Sequence, residues 1–183
     1  MERWSRERIA GQDPEQDAPL DESVLRDGWL GFAPARLDQV QAAEARLGRP
    51  LPPSLHEFLL VSDGWREAGP FVYLLAGTAG LDWLRDTDDA YWIEAWSEEA
   101  EDVEEGEVND GEVLERSLRL SLDGDAAIMY LDPDDVDEKG EWAGYWLSSW
   151  SGMGPERHGS FRDLMYSQYV SFRDLGESET RDR

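Results

Sequence analysis

Two histidines, His56 and His158, are the only imidazoles in this 183-residue sequence, and it contains no cysteine. Nucleophilic catalysis would therefore need a serine or threonine activated by one of those two rings. No G-x-S-x-G elbow is present. His56 lies beside the apolar stripe of a helical segment, and His158 sits among Gly152, Gly154 and Gly159. Both read as ordinary surface histidines. A calcium loop needs oxygen ligands at its first, third and fifth positions, glycine at the sixth and glutamate at the twelfth. Counting from Asp135 puts Lys139 fifth and Trp146 twelfth, and counting from Asp132 puts Val136 fifth and Asp137 where glycine is required. Both registers fail, so no metal is expected. Paired carboxylates could serve a hydrolase, but among 42 acidic residues some pair falls at a suitable separation by chance. Neither G-x-G-x-x-G nor a P-loop lysine motif occurs, and no cofactor is expected.

The charge is more informative. Seventeen basic residues stand against 42 acidic ones, a formal net charge of −25. Such a field repels phosphate backbones and anionic lipid, which argues against nucleic-acid or membrane partners and for basic proteins. The alternative is that acidity serves solubility alone. The absence of cysteine suits a reducing compartment. Met1 to Arg8 is charged and no apolar signal segment follows it, and the longest apolar runs fall far short of the ~20 residues that span a bilayer. The expected location is the cytoplasm. Oligomeric state is left open.

The elements that would position any site follow from periodicity. Residues 1–23 mix charge with Gly11, Pro14 and Pro19, so a flexible arm is expected, with a short helix near Trp4 to Ile9. Leu25, Trp29, Leu30 and Phe32 then pack on the body. Leu37, Val40, Ala43 and Leu47 form a helical stripe closed by Gly48. Leu51-Pro52-Pro53 stops the chain, and Ser54 with Glu57 predicts a capping box for a second helix whose inner face is Leu55, Phe58 and Leu59. Asp63-Gly64 ends it, and Phe71 to Leu75 is the first strand. One or two short helices are expected between Gly80 and Trp96. Glu98 to Glu115 holds ten acids and no base, a solvated loop. Leu118, Leu120 and Leu122 alternate as a half-buried strand, Asp123-Gly124 predicts a type I′ hairpin, and Ala126 to Leu131 returns. An acidic loop from Asp132 to Gly140 leads to a third strand, Trp142 to Trp150, with Trp142, Trp146 and Trp150 evenly spaced on one face. Ser160 caps a final helix with the stripe Phe161, Leu164, Met165, Tyr169 and Phe172, and residues 176–183 form a disordered tail. The sum is one α+β domain over residues 24–175, a mixed or antiparallel sheet with a β-meander packed against flanking helices.

Leu47-Gly48, Leu51-Pro52, Leu55, Phe58-Leu59 and Asp63-Gly64-Trp65 together resemble the signature of the SUKH superfamily of bacterial immunity proteins, related to a fungal regulator of cell-wall assembly. Asp63 replaces the usual asparagine. Asp123-Gly124-Asp125, Gly140-Glu141-Trp142 and Ser160-Phe161 with Leu164 continue the likeness, which covers residues 35 to 173. The resemblance implies a non-catalytic module that neutralises a secreted toxin by binding it, or a regulatory scaffold like the fungal relatives.

Between Asp82 and Glu141 there are 23 acids and four bases, net −19 of the total −25. Aromatic anchors ringed by charge suit a protein interface. The expected partner-binding set is Trp92, Trp96 and Trp142 with Glu98, Glu99, Glu101, Asp102, Glu104, Glu105, Asp134, Asp135 and Asp137. Any one of these tryptophans, taken singly, reads more readily as core. The expected partner is a cognate toxin, a basic nuclease above all. A carboxylate-based hydrolase is the remaining alternative, and it needs two acids in a concave pocket with raised pKa values.

Overall fold

The stripe of Val40, Ala43 and Leu47 buries one side of helix α3 (Leu37–Leu47), which Gly48 closes at φ +76° in the left-handed region. Leu37, at the first turn, stays exposed. The computed structural model in which these contacts appear describes residues 1–12, 15, 19–98 and 109–181. Helix α4 (Pro53–Leu59) starts two residues earlier than a Ser54 cap would allow. Pro53 takes the first helical position, where its missing N–H costs nothing, and Pro52 leads in extended. The Ser54–Glu57 capping box therefore does not form. Instead the Ser54 N–H and hydroxyl both donate to the Glu141 carboxylate, at 3.0 and 2.7 Å, from 87 residues downstream. A negative charge at a helix N-terminus is favourable there. Leu55, Phe58 and Leu59 face inward as expected.

Two antiparallel sheets follow. The smaller has the order β1 (Trp65–Arg66), β2 (Val72–Leu75), β5 (Ser121–Gly124). The larger runs β3 (Asp82–Trp83), β4 (Leu118–Arg119), β6 (Ala127–Val136), β7 (Trp142–Ser148), β8 (Glu156–His158). The Leu118–Leu122 strand divides between the sheets: β4 pairs with β6, whereas β5 leaves to pair with β2. The expected type I′ turn is absent. The left-handed residue is Ala126, φ +48°. Gly124 is required for closeness, since a Cβ there would lie 2.7 Å from the Phe71 carbonyl oxygen. The strand β6 runs on through the expected acidic loop to Val136, and the turn is confined to Asp137–Glu141.

Pairing of Met129 with Trp146, Tyr130 with Tyr145 and Leu131 with Gly144 sorts the two faces of this central hairpin. Met129, Leu131, Trp142 and Trp146 join the main core with α3, α4 and helix α7 (Phe161–Arg181). Ile128, Tyr130, Tyr145 and Leu147 join a second core under α5 (Tyr91–Glu98) and α6 (Asp110–Arg116). Thus the C-terminal part of the expected solvated loop is a helix, capped by Asn109 and burying Val113 and Leu114. Gly144 lets α7 approach, because a Cβ would meet Leu164 and the Ser160 carbonyl at 3.1 Å. Ser160 caps α7, its hydroxyl accepting from the Asp163 N–H at 3.1 Å. The α7 backbone is helical to Arg181, past the expected start of a disordered tail.

The expected flexible arm is corrected over residues 2–10, which form helix α1 (Glu2–Ala10). Trp4 is 3% exposed, with its ring 5.6 Å from Tyr169 and 6.1 Å from Trp65. The Ser5 hydroxyl accepts from the Leu30 N–H, tying α1 to the segment after α2 (Glu22–Asp27). In α2 the buried residue is Val24, and Leu25 faces solvent. Burial of this indole, together with the Ser5–Leu30 hydrogen bond, helps to offset the ordering entropy of the short helix.

Trp4→Ala is expected to lower unfolding free energy by about 3 kcal/mol in a urea titration, as core aromatic truncations do. An unchanged midpoint would restore the flexible arm. Glu141→Ala is expected to cost about 1–2 kcal/mol by the same measurement, the scale of a lost helix cap.

Candidate functional site

The groups that could do acid–base chemistry are apart and poorly placed. His56 is half-buried on α4, and its Nε2 has no hydrogen-bond partner. The Nε2 of His158, on β8, lies 3.5 Å from a Glu156 carboxylate oxygen. Among the described residues, no three histidine or acidic side chains cluster in a way that could hold a metal ion. The carboxylates of the failed calcium registers have structural work. Asp132 is 2% exposed and doubly bonded to the Arg116 guanidinium at 2.8 and 2.7 Å. Asp135 takes a fork from Arg157 at 2.6 and 2.7 Å and a hydrogen bond from the Tyr145 hydroxyl at 3.0 Å. Asp137 accepts from the Lys139 and Glu141 N–H groups and so shapes the hairpin tip.

The expected partner-binding set divides accordingly. Trp92 and Trp142 are only 3% and 4% exposed, the first in the second core and the second in the main core. They have no free face for a partner, a correction to their expected role as anchors. Their side chains are consumed in covering the two sides of one sheet. Trp96, one turn after Trp92, is half-buried at the edge of the second core. Asp134 is exposed beside Arg49 and Arg116, at 3.8 and 3.7 Å. Glu98 ends α5, and Glu99, Glu101, Asp102, Glu104 and Glu105 lie outside the described residues. The Arg116–Asp132 pair does bring α6 against the β6–β7 hairpin, so Asp134 and the acids of α6 share one end of the molecule.

Electrostatics at this end follow from the same contacts. Hydrogen bonding from Arg157, aided by Tyr145, holds Asp135 below the usual carboxylate range although partial burial opposes it. Burial, then the bond to Asp135, pushes the Tyr145 phenol up to about 12. The Tyr130 ring stacks on it at 5.2 Å, and burial drives that phenol higher still. These tyrosines are held neutral and act as packing.

A groove of about 390 Å³ opens elsewhere, between α1, α4 and α7, with Trp4, Phe58, Phe161 and Met165 among the residues that line it. Its one carboxylate, Glu57, faces Arg162 at 3.1 Å. The two acids a glycosidase-type mechanism needs are not in this concavity. Among the described residues, the carboxylates whose acidity is displaced, Glu7, Asp27 and Asp135, are all displaced downward, which suits ion pairs and not proton donors. The α7 half of the groove was readable as a helical stripe. The α1 half was not, because its single apolar anchor sits among charges.

Exposed aromatic surface lies at another place again. The strand β7 ends at Ser148, so Trp150 leaves the face that even spacing assigned it and is 49% exposed. Its ring meets Phe71 edge-on at 4.7 Å and Trp146 at 6.2 Å. Tyr73 is exposed two residues along β2 from Phe71.

Arg116→Met is expected to lose about 3–5 kcal/mol of stability, because it strands the buried Asp132 carboxylate without a cation. A double change with Asp132→Leu should recover most of that loss in the same denaturant titration. Asp135 has a depressed folded pKa, so its contribution is present above about pH 4 and fades as pH falls through the folded value. Asp135→Asn is therefore expected to flatten the acid limb of melting temperature against pH, below about pH 4.

Residues 34–174 match the family model described as SMI1 / KNR4 family (SUKH-1). The match begins just before α3 and ends within α7, so it contains both sheets and leaves out α1 and α2. No individual curated protein matches. Among the described residues, no helix is long and apolar enough to cross a membrane. The motif from Leu47 to Trp65, set inside a match over most of the sequence, places the chain in the SMI1/KNR4 (SUKH-1) family.

Proposed function

We propose that this chain is a non-catalytic immunity protein that binds a cognate bacterial toxin in the cytoplasm and blocks it by covering its working surface. The observation that carries the reading is the family match over residues 34–174. The charge supports the partner's chemistry. Net −19 is concentrated between Asp82 and Glu141, and a field of that sign attracts basic proteins and repels nucleic acid. A basic nuclease is the toxin class that fits best, because its phosphate-binding surface is the complement of an acidic inhibitor. Steering can raise association rates by ~10–10³-fold, an advantage when the toxin must be caught before it acts. Inhibition is steric and electrostatic, with no bond made or broken by this chain.

The test is co-expression with the toxin domain encoded beside the chain, followed by co-purification at rising salt. Protection of the host, with affinity that falls as salt rises from about 50 to 500 mM, is the expected result. Salt-insensitive binding would remove the electrostatic part. Absence of protection, with stable binding to several endogenous proteins instead, would favour a regulatory scaffold.

A further inference from the structure

We propose that the aromatic surface formed by exposed Tyr73 and Trp150 around half-buried Phe71, flanked by Asp123 and Asp125, is the docking surface for an arginine- or lysine-bearing segment of a basic protein partner. The proposal rests on the partner being a basic protein, and it moves the aromatic anchor away from Trp92 and Trp142. The surface is built by three chain segments. Tyr73 and Phe71 lie on β2 and just before it, and β2 pairs with β5, which ends at Asp123-Gly124. The Asp125 N–H donates to the Phe71 carbonyl at 2.9 Å, fixing the acidic turn beside the aromatic pair. The Ser149 N–H donates to the Ala126 carbonyl at 3.0 Å, which delivers Trp150 onto Phe71. Beyond it Met153 is 81% exposed, between Gly152 and Gly154 at φ +63° and +53°.

Three features give the occupant its chemistry. A tryptophan half open to solvent, packed on other aromatics, is the kind of side chain that anchors protein interfaces. Its ring face also attracts guanidinium and ammonium groups. Asp123 and Asp125 are exposed, and among the described residues neither is in an ion pair with an arginine, lysine or histidine, in contrast to Asp132 and Asp135. Finally, burial first and then the negative charges of Asp125, Glu67 and Asp123 raise the Tyr73 phenol, which places carboxylates close to this ring. A cation therefore meets both an aromatic face and uncompensated carboxylates. A second copy of the chain, itself at −25, is repelled. The groove between α1, α4 and α7 offers Arg3 and Arg162 against one Glu57 and lacks that complementarity.

The probe is an eight-residue peptide of alternating arginine and glycine, titrated into the full chain while the tryptophan indole N–H signals are followed by NMR. The same peptide with glutamate for arginine is the control. The Trp150 signal is expected to move, the Trp92 and Trp142 signals to stay, and the glutamate peptide to do nothing. Trp150→Ala should weaken peptide binding by roughly fivefold to tenfold. The Asp123→Asn/Asp125→Asn double variant, whose exposed carboxylates hold no element in place, should weaken it similarly and reduce its salt dependence. Each variant's melting curve is compared with the unsubstituted chain. Equal affinity in both variants, or shifts centred on Trp96, would overturn the proposal. The peptide experiment contains no toxin, so its failure leaves the immunity reading standing. Peptide binding that survives where the unsubstituted chain gives no protection would reject immunity and keep the surface.

Discussion

The β6–β7 hairpin is apolar on both faces, and most of the molecule is arranged to cover it. Antiparallel sheets commonly leave one side to water, with alternating side chains to match. Here Met129 and Leu131 point one way and Ile128 and Tyr130 the other, and all four are buried. The first pair takes α3, α4 and α7 as its cover, with Gly144 allowing α7 to lie close. The second pair takes α5 and α6. Because the hairpin needs two covers, Trp92 and Trp142 are drawn inside from opposite sides.

Charge is distributed around that constraint. An acidic chain must still fold a hairpin containing Asp132, Asp134, Asp135 and Asp137, and Arg49, Arg116 and Arg157 stand beside it. Arg116 holds Asp132, among the described residues the one buried acid, while Arg157 holds Asp135 across the β8 edge. Glu141, the last acid of the same turn, closes the N-terminus of α4. These carboxylates stabilise local geometry and are correspondingly less available to a partner. Asp123 and Asp125, which have no such role, lie where the smaller sheet meets the loop carrying Trp150. In this molecule free charge and free aromatic area coincide at a place that net charge alone does not identify.

Helices were legible wherever a stripe repeated and a cap followed. The bounds of α3 and the inner faces of α4 and α7 were readable because each depends on contacts within about one turn. The α+β class and the family were readable for the same reason, since Leu47 to Trp65 is a series of local stops and stripes. The errors share another cause. Ser54 reads as a cap in the sequence because its true partner, Glu141, is 87 residues away. The alternation at Leu118–Leu122 was sound, but nothing local reveals that β4 and β5 pair into different sheets. The acids of 110–116 hide a helix because its two buried apolar side chains, Val113 and Leu114, count only once a sheet is beneath them.

By itself, then, the sequence determined the local elements, the excess of negative charge and the family, all properties set by short-range periodicity, caps or composition. The tertiary structure alone decided which tryptophans face water, which carboxylates are held by arginine, and that α1 docks through Trp4. Burial and ion pairing depend on what the distant chain brings alongside, and that depends on sheet topology and not on spacing. A surface residue becomes a candidate for binding only after the core has taken what it needs. That is why Trp142 and Trp150, eight residues apart, have opposite fates.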